Sequence, residues 1–68
     1  MTNTKALKEA IQKSGLKLKA IAKLLNISGT SLSRKINNIT EFKASEIIAL
    51  SEILQLDTEK ELLIFFNK

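Results

Sequence analysis

Cysteine, histidine, tyrosine and proline are all missing from this 68-residue chain, and glycine occurs only twice. Without cysteine there is no disulfide framework and no thiolate metal site, which fits a reducing compartment and a cytoplasmic location. Without histidine, cysteine or tyrosine the usual bases and nucleophiles are gone. Most carboxylates have the spacing of polar helix faces, so no enzymatic activity and no catalytic residue is expected. A metal site would have to be built from carboxylates alone, and their spacing proposes none; no cofactor is expected either. Gly15 and Gly29 stand alone, so there is no glycine-rich loop to cradle a phosphate. No apolar run approaches the ~20 residues that cross a bilayer. The opening stretch MTNTKALKEAIQKSG lacks the hydrophobic region of a signal peptide. The lysines are too dispersed for a polybasic membrane tag, so a membrane partner is not expected.

What the chain does have is lysine, unevenly spread. Residues 1–40 hold eight basic residues against Glu9 alone, a net +7, whereas residues 41–68 hold three lysines against six carboxylates, a net −3. Such a split favours a polyanion approaching one side of the molecule. The plainer reading is that lysines solvate exposed helix faces. Length allows one domain, 1–68, and no repeat or linker divides it. A domain of this size buries too little apolar surface to be comfortably stable alone, so a partner surface would help it. It also leaves no room for an effector-binding domain, and no small-molecule ligand is expected.

The organising stretch is 18–37, LKAIAKLLNISGTSLSRKIN. Leu18, Ile21, Ala22 and Leu25 recur at i, i+3, i+4, i+7, the spacing of an amphipathic helix. Asn26 follows, a residue that tolerates the left-handed backbone of a tight turn. Ile27 supplies an apolar plug, Ser28 is a good N-cap, and Leu32 and Ile36 carry a second stripe at i, i+4. Ala22, Asn26, Ile27 and Leu32 at these positions resemble the helix-turn-helix of phage Cro and repressor proteins, the xenobiotic-response-element class. The resemblance extends further, through GLKLKAIAKLLNIS to SEIIALSEILQL, which looks like that class's fourth helix. Three positions depart from it: members often have Gln where Leu18 stands, Gly where Asn26 stands and Pro-Ser where Phe42-Lys43 stands. Leu18 cannot make through its side chain the phosphate contact familiar from the start of that helix. The resemblance implies a small transcriptional regulator from a phage or other mobile element, binding a double-stranded DNA operator.

The expected fold is all-α, a lambda-repressor-like helix-turn-helix domain of five short helices over about 4–14, 17–25, 28–36, 44–55 and 58–67. Helix 1 buries Ala6, Leu7, Ala10 and Ile11 and stops at Gly15, while Lys5, Lys8 and Lys13 lie off that stripe and are read as solvated. Lys17 and Lys19 sit at the start of helix 2, where they oppose the helix dipole but would suit a phosphate; Lys23 lies further along the same polar face. On helix 3, taking inward Leu32 as zero at 100° per residue puts Thr30 at about 160° and Arg34 at about 200°, with Ser33 near 100°. That outward face enters the major groove in a helix-turn-helix. Arg34 can donate twice to guanine, Thr30 and Ser33 can bond a base edge, and Gly29 allows close approach. Ser28, Ser31, Lys35, Asn37 and Asn38 join Lys17 and Lys19 as expected phosphate contacts. The competing reading is that the small polar residues only cap and terminate the helix.

Phe42 is read as a core plug after helix 3. Ile47, Ile48, Leu50, Ile53 and Leu54 make too wide an apolar stripe for one partner helix. Thr58-x-x-Glu61 has the form of a capping box. The run Leu62-Leu63-Ile64-Phe65-Phe66 is apolar on every side of a helix, or else forms a short strand. At this length the run is not expected to be wholly internal: part of it packs over helices 1 and 4, and a homodimer seam through Ile53, Leu63, Phe65 and Phe66 is expected, on a near-palindromic operator. The alternative is a protein-binding module, an antirepressor or antitoxin, that uses the same apolar residues.

Overall fold

A computed structural model describes residues 1–66 and contains five helices: α1 Thr4–Ser14, α2 Leu18–Leu24, α3 Gly29–Ile36, α4 Ala44–Ile53 and α5 Thr58–Phe65. The expected all-α, five-helix class is correct. The expected end of the last helix at 67 lies outside the described residues; α5 closes at Phe65 with Phe66 as its cap. None of these helices is long and apolar enough to cross a membrane.

With so little glycine and no proline, the helices stop by other means. The chain turns left-handed at Asn26, Asn38 and Gln55, with φ of 59°, 63° and 55°. After α2, Asn26 N–H bonds Lys23 C=O at 3.1 Å and Ile27 N–H bonds Ala22 C=O at 3.0 Å. The same pair of bonds closes α3, from Asn38 to Lys35 and Ile39 to Arg34, and α4, from Gln55 to Glu52 and Leu56 to Ser51. Each is the Schellman ending, which satisfies carbonyls that a helix end leaves unpaired. α1 ends on Gly15 at φ 74° with a variation: the Ser14 hydroxyl donates to Ile11 C=O and accepts from Leu16 N–H. Because Gln55 reverses the backbone, α4 stops at Ile53 rather than at 55.

α2 packs on α3, and α1 packs on both α3 and α5. The core gathers Leu7 and Ile11 of α1, Ile21 and Ala22 of α2, Leu32 and Ile36 of α3, Leu50 and Leu54, Phe42, and Ile64 and Phe65 of α5. Phe42 is the expected plug; its ring meets Phe65 edge to face, centroids 5.5 Å apart, a favoured aromatic geometry. Phe65 is therefore 6% exposed, while Phe66 is 58% exposed. Leu18 departs from its expected place in the buried stripe: it opens a seven-residue helix whose second turn alone reaches the core, and it remains 47% exposed. Ile48 of α4 is exposed as well.

Three polar side chains are buried among the described residues, and all of them tie α4 to a neighbour. Lys35 of α3 places its Nζ 3.0 Å from Glu46 Oε1 and donates to Glu41 C=O at 3.1 Å. Glu46 also accepts from Lys43 N–H at 2.8 Å, which caps α4. Ser51 donates to Glu61 of α5 at 2.6 Å. Glu61 is thus not engaged in a capping box with Thr58; Asp57 caps α5 instead, accepting from Lys60 N–H at 2.8 Å. Burial alone pushes the Glu46 carboxyl up. The Lys43 N–H, then the Lys35 hydrogen bond and the charges of Lys35 and Lys43, outweigh that and hold it below its ordinary value.

The N-terminal residues clamp the far end of α3. Asn38 accepts from Thr2 N–H at 2.9 Å and donates to Thr2 C=O and Thr4 Oγ1 at 2.7 and 3.3 Å, while Thr4 Oγ1 donates to Ile36 C=O at 2.6 Å. Asn3 N–H reaches Ile64 C=O at 2.7 Å, joining the same segment to α5.

Phe65→Ala is expected to cost about 3–5 kcal/mol in urea unfolding, as for a buried aromatic. Phe66→Ala should stay within about 0.5 kcal/mol, as for a surface change. Gln55→Gly removes a left-handed side-chain penalty and should stabilise by roughly 1 kcal/mol in the same assay. Because the folded-state pKa of Glu46 is depressed, its contribution is complete above the ordinary carboxylate range and is lost as pH falls through the depressed value. Glu46→Gln is therefore expected to flatten the acid side of the stability profile, measured by thermal unfolding across pH.

Candidate nucleic-acid interface

The candidate surface is built outward from the α2–α3 junction. The left-handed Asn26 turns the chain so sharply that Ser28 already caps α3, its Oγ accepting from Ser31 N–H at 3.0 Å. Leu32 and Ile36 point inward and are buried, so the opposite side of α3 is set by geometry: Gly29, Thr30, Ser33 and Arg34 are all exposed. Among the described residues no hydrogen bond or ion pair engages the side chain of Thr30, Ser33 or Arg34. A Cβ built at Gly29 would meet nothing within 4 Å, so the fold itself does not demand glycine there.

Lys17 precedes α2 as its N-cap residue without a side-chain cap, and Lys19 and Lys23 follow on the same helix, all exposed. Lys19 and Lys23 line an open groove with Asn26, Ile27, Ser28 and Gly29, so two ammonium groups flank the start of α3. The N–H groups of a helix start carry partial positive charge, and although Ser28 takes the one of Ser31, nearby lysines add to the field of those left. Among the described residues no carboxylate pairs with Lys17, Lys19 or Lys23. The surface can attract and hydrogen-bond an extended anion.

The structure withdraws several residues from this surface. Lys35, expected at phosphate, is 7% exposed and its charge is consumed by Glu46 and the Glu41 carbonyl. Asn38, expected likewise, spends both amide hydrogens on Thr2 and Thr4. Asn37 is exposed but commits one amide hydrogen to Ser33 C=O of its own helix at 2.9 Å, leaving one. The loop N–H groups of 38–40 bond back to α3 carbonyls. Ser28 and Ser31 are joined through the cap by the Ser31 N–H alone, so Ser28 keeps its hydroxyl hydrogen and the half-buried Ser31 hydroxyl is not used by it.

The apolar C-terminal surface is also redrawn. Phe65 belongs to the core and cannot form an interface, because Phe42 and the α1–α5 packing enclose it. Ile53 is half-buried against that core, while Leu63 and Phe66 are exposed as expected. Leu62, which sequence reasoning did not single out, is exposed beside them. A cleft between α1 and α5 runs past Leu16, Ile53, Leu56 and Leu63, lined also by Lys5, Lys13 and Lys60 and by the carboxylates Glu9 and Asp57.

Comparison with curated proteins and with solved structures finds no match. A family model described as "Protein of unknown function (DUF739)" matches residues 4–68, from the first residue of α1 through the last helix. The chain belongs to the DUF739 family.

Proposed function

We propose that this protein binds double-stranded DNA in a sequence-specific way, as a small transcriptional regulator of the Cro or repressor type, with α3 in the major groove. The observation that carries the reading is the outward face of α3: exposed, short, polar and free of carboxylate, next to three exposed lysines of the α2 segment. An element that lies against phosphates requires such a face, because a single carboxylate would be repelled. Arg34 is assigned to a guanine edge, and Thr30 and Ser33 to neighbouring base edges. Gly29 lets the helix start approach the groove closely, for which the open space above it leaves room. Lys17, Lys19 and the Ser28 hydroxyl are assigned to phosphate, with the remaining Asn37 N–H at the far end. Two copies joined through Leu62, Leu63 and Phe66 would present their α3 helices about 34 Å apart to an inverted repeat.

A second reading has its own support in the α1–α5 cleft, whose apolar residues and charges of both signs suit another protein. Salt separates the two. Phosphate binding falls steeply between low and moderate salt, and an apolar interface does not.

Arg34→Ala is expected to lose about 1–3 kcal/mol on the preferred duplex and to relax preference at one base pair. Lys17→Ala should weaken binding to all sequences alike and reduce the slope of log K against log salt by about one. Fluorescence anisotropy across a salt series measures both, and an Arg34→Ala protein that bound every duplex like the parent would refute the groove assignment.

A further inference from the structure

α3 is only two turns long, and its orientation is imposed by what it packs against. Leu32 and Ile36 are apolar anchors near one line along the helix, and apolar contact is non-directional, so by themselves they resist separation more than roll. Roll matters for a reading helix. A side-chain tip ~6 Å from the axis moves about 1 Å for a roll of roughly 10°, beyond the ~0.5 Å within which a binding constellation has to be held.

Thr4 Oγ1, donating to Ile36 C=O at 2.6 Å, pins the last residue of α3, and Lys35 supplies the directional restraint on the side that faces α4. It follows Arg34 directly, yet points away from the reading face into the protein. There its ammonium is fixed by two acceptors of different origin, the Glu46 carboxylate on α4 and the Glu41 carbonyl in the preceding loop, at 3.0 and 3.1 Å. Glu46 is itself held by the Lys43 N–H at 2.8 Å, so the acceptor is not free to follow the lysine. Isolating two charges from water is costly, and replacing a buried pair with apolar groups often leaves stability unchanged. The sequence pays for this arrangement with the cationic charge of Lys35, which would otherwise have added to the phosphate-binding surface.

We infer that Lys35 is a positioning residue for sequence recognition: its bridge to Glu46 and Glu41 sets the roll of α3 and so the reach of Arg34 and Thr30, without touching DNA. This rests on the DNA-binding reading of α3, and the test separates the two. In Lys35→Met/Glu46→Gln the charges leave together, so neither is stranded, and the glutamine oxygen can still accept from Lys43 N–H. Duplexes recovered by selection with the parent protein are compared with random-sequence duplex over a salt series.

The double variant should lose about tenfold on the selected duplex, the scale of one impaired base contact. Its affinity for random duplex and its salt slope should match the parent. Equal losses on both duplexes, with a slope smaller by about one, would make Lys35 a phosphate contact and overturn the inference. So would an unchanged preference. Lys35→Arg, which can keep a cationic bridge, should recover most of the preference; failure to do so at full helicity counts against the bridge. If the parent binds no duplex at all, the DNA reading has failed. The bridge is then judged by amide exchange: faster exchange over 29–36 than in α1 supports it, and unchanged exchange there refutes it.

Discussion

A left-handed residue at Asn26 is the constraint on which the rest depends. α2 has seven residues and α3 eight, too short for either to hold its shape alone. They are stable only as a pair, and the pair exists because the chain reverses within the few residues from Leu25 to Ser28. Two Schellman bonds, from Asn26 and Ile27 back into α2, close that reversal. The turn then seats Ile27 against the core and delivers Ser28 as the cap of α3. Once Leu32 and Ile36 are inside, the outward position of Thr30, Ser33 and Arg34 follows from helix geometry.

The remaining helices hold that pair in place by two kinds of contact. Apolar contact dominates on one side, where α1 and α5 enclose Leu7, Ile64 and Phe65. Around α4, polar ties join the apolar packing of Leu50 and Leu54: Lys35 and Glu46 link it to α3, and Ser51 and Glu61 link it to α5. This division separates the charges of the chain. The acidic half supplies internal acceptors, and the basic half keeps Lys17, Lys19, Lys23 and Arg34 exposed together with the lysines of α1. The net +7 of residues 1–40 is therefore reduced by one, through Lys35, before it can act on a polyanion.

Much of this was legible in the residues themselves. Periodicity and turn chemistry locate all five helices, because Gly15 and Asn26 are local signals with local causes. Leu32 is readable as inward from its i, i+4 stripe with Ile36, and Phe42 as a plug from its place between a polar loop and α4. Lys35 carries a signal for burial that its expected place at phosphate does not use: the angular rule that puts Arg34 at about 200° puts Lys35 at about 300°, closer to Leu32 than to the outward face. Only the three-dimensional position of Glu46 reveals its partner. Phe65 and Leu18 illustrate a different limit. A run that is apolar on every side does not say which residue turns inward, and helical spacing does not say how far along its length a helix meets the core. Gln55 gives almost no signal, since glutamine has no special affinity for a left-handed turn. Asn38 was readable as a helix end but not as the anchor of Thr2, 36 positions away.

The most direct test of the account is selection from a random-sequence duplex pool with the purified protein, followed by a salt titration of the recovered sequences. The account predicts a short inverted repeat with a guanine in each half-site, bound with an affinity that falls steeply as salt rises. Recovery of no motif, or no binding even at low salt, would contradict it.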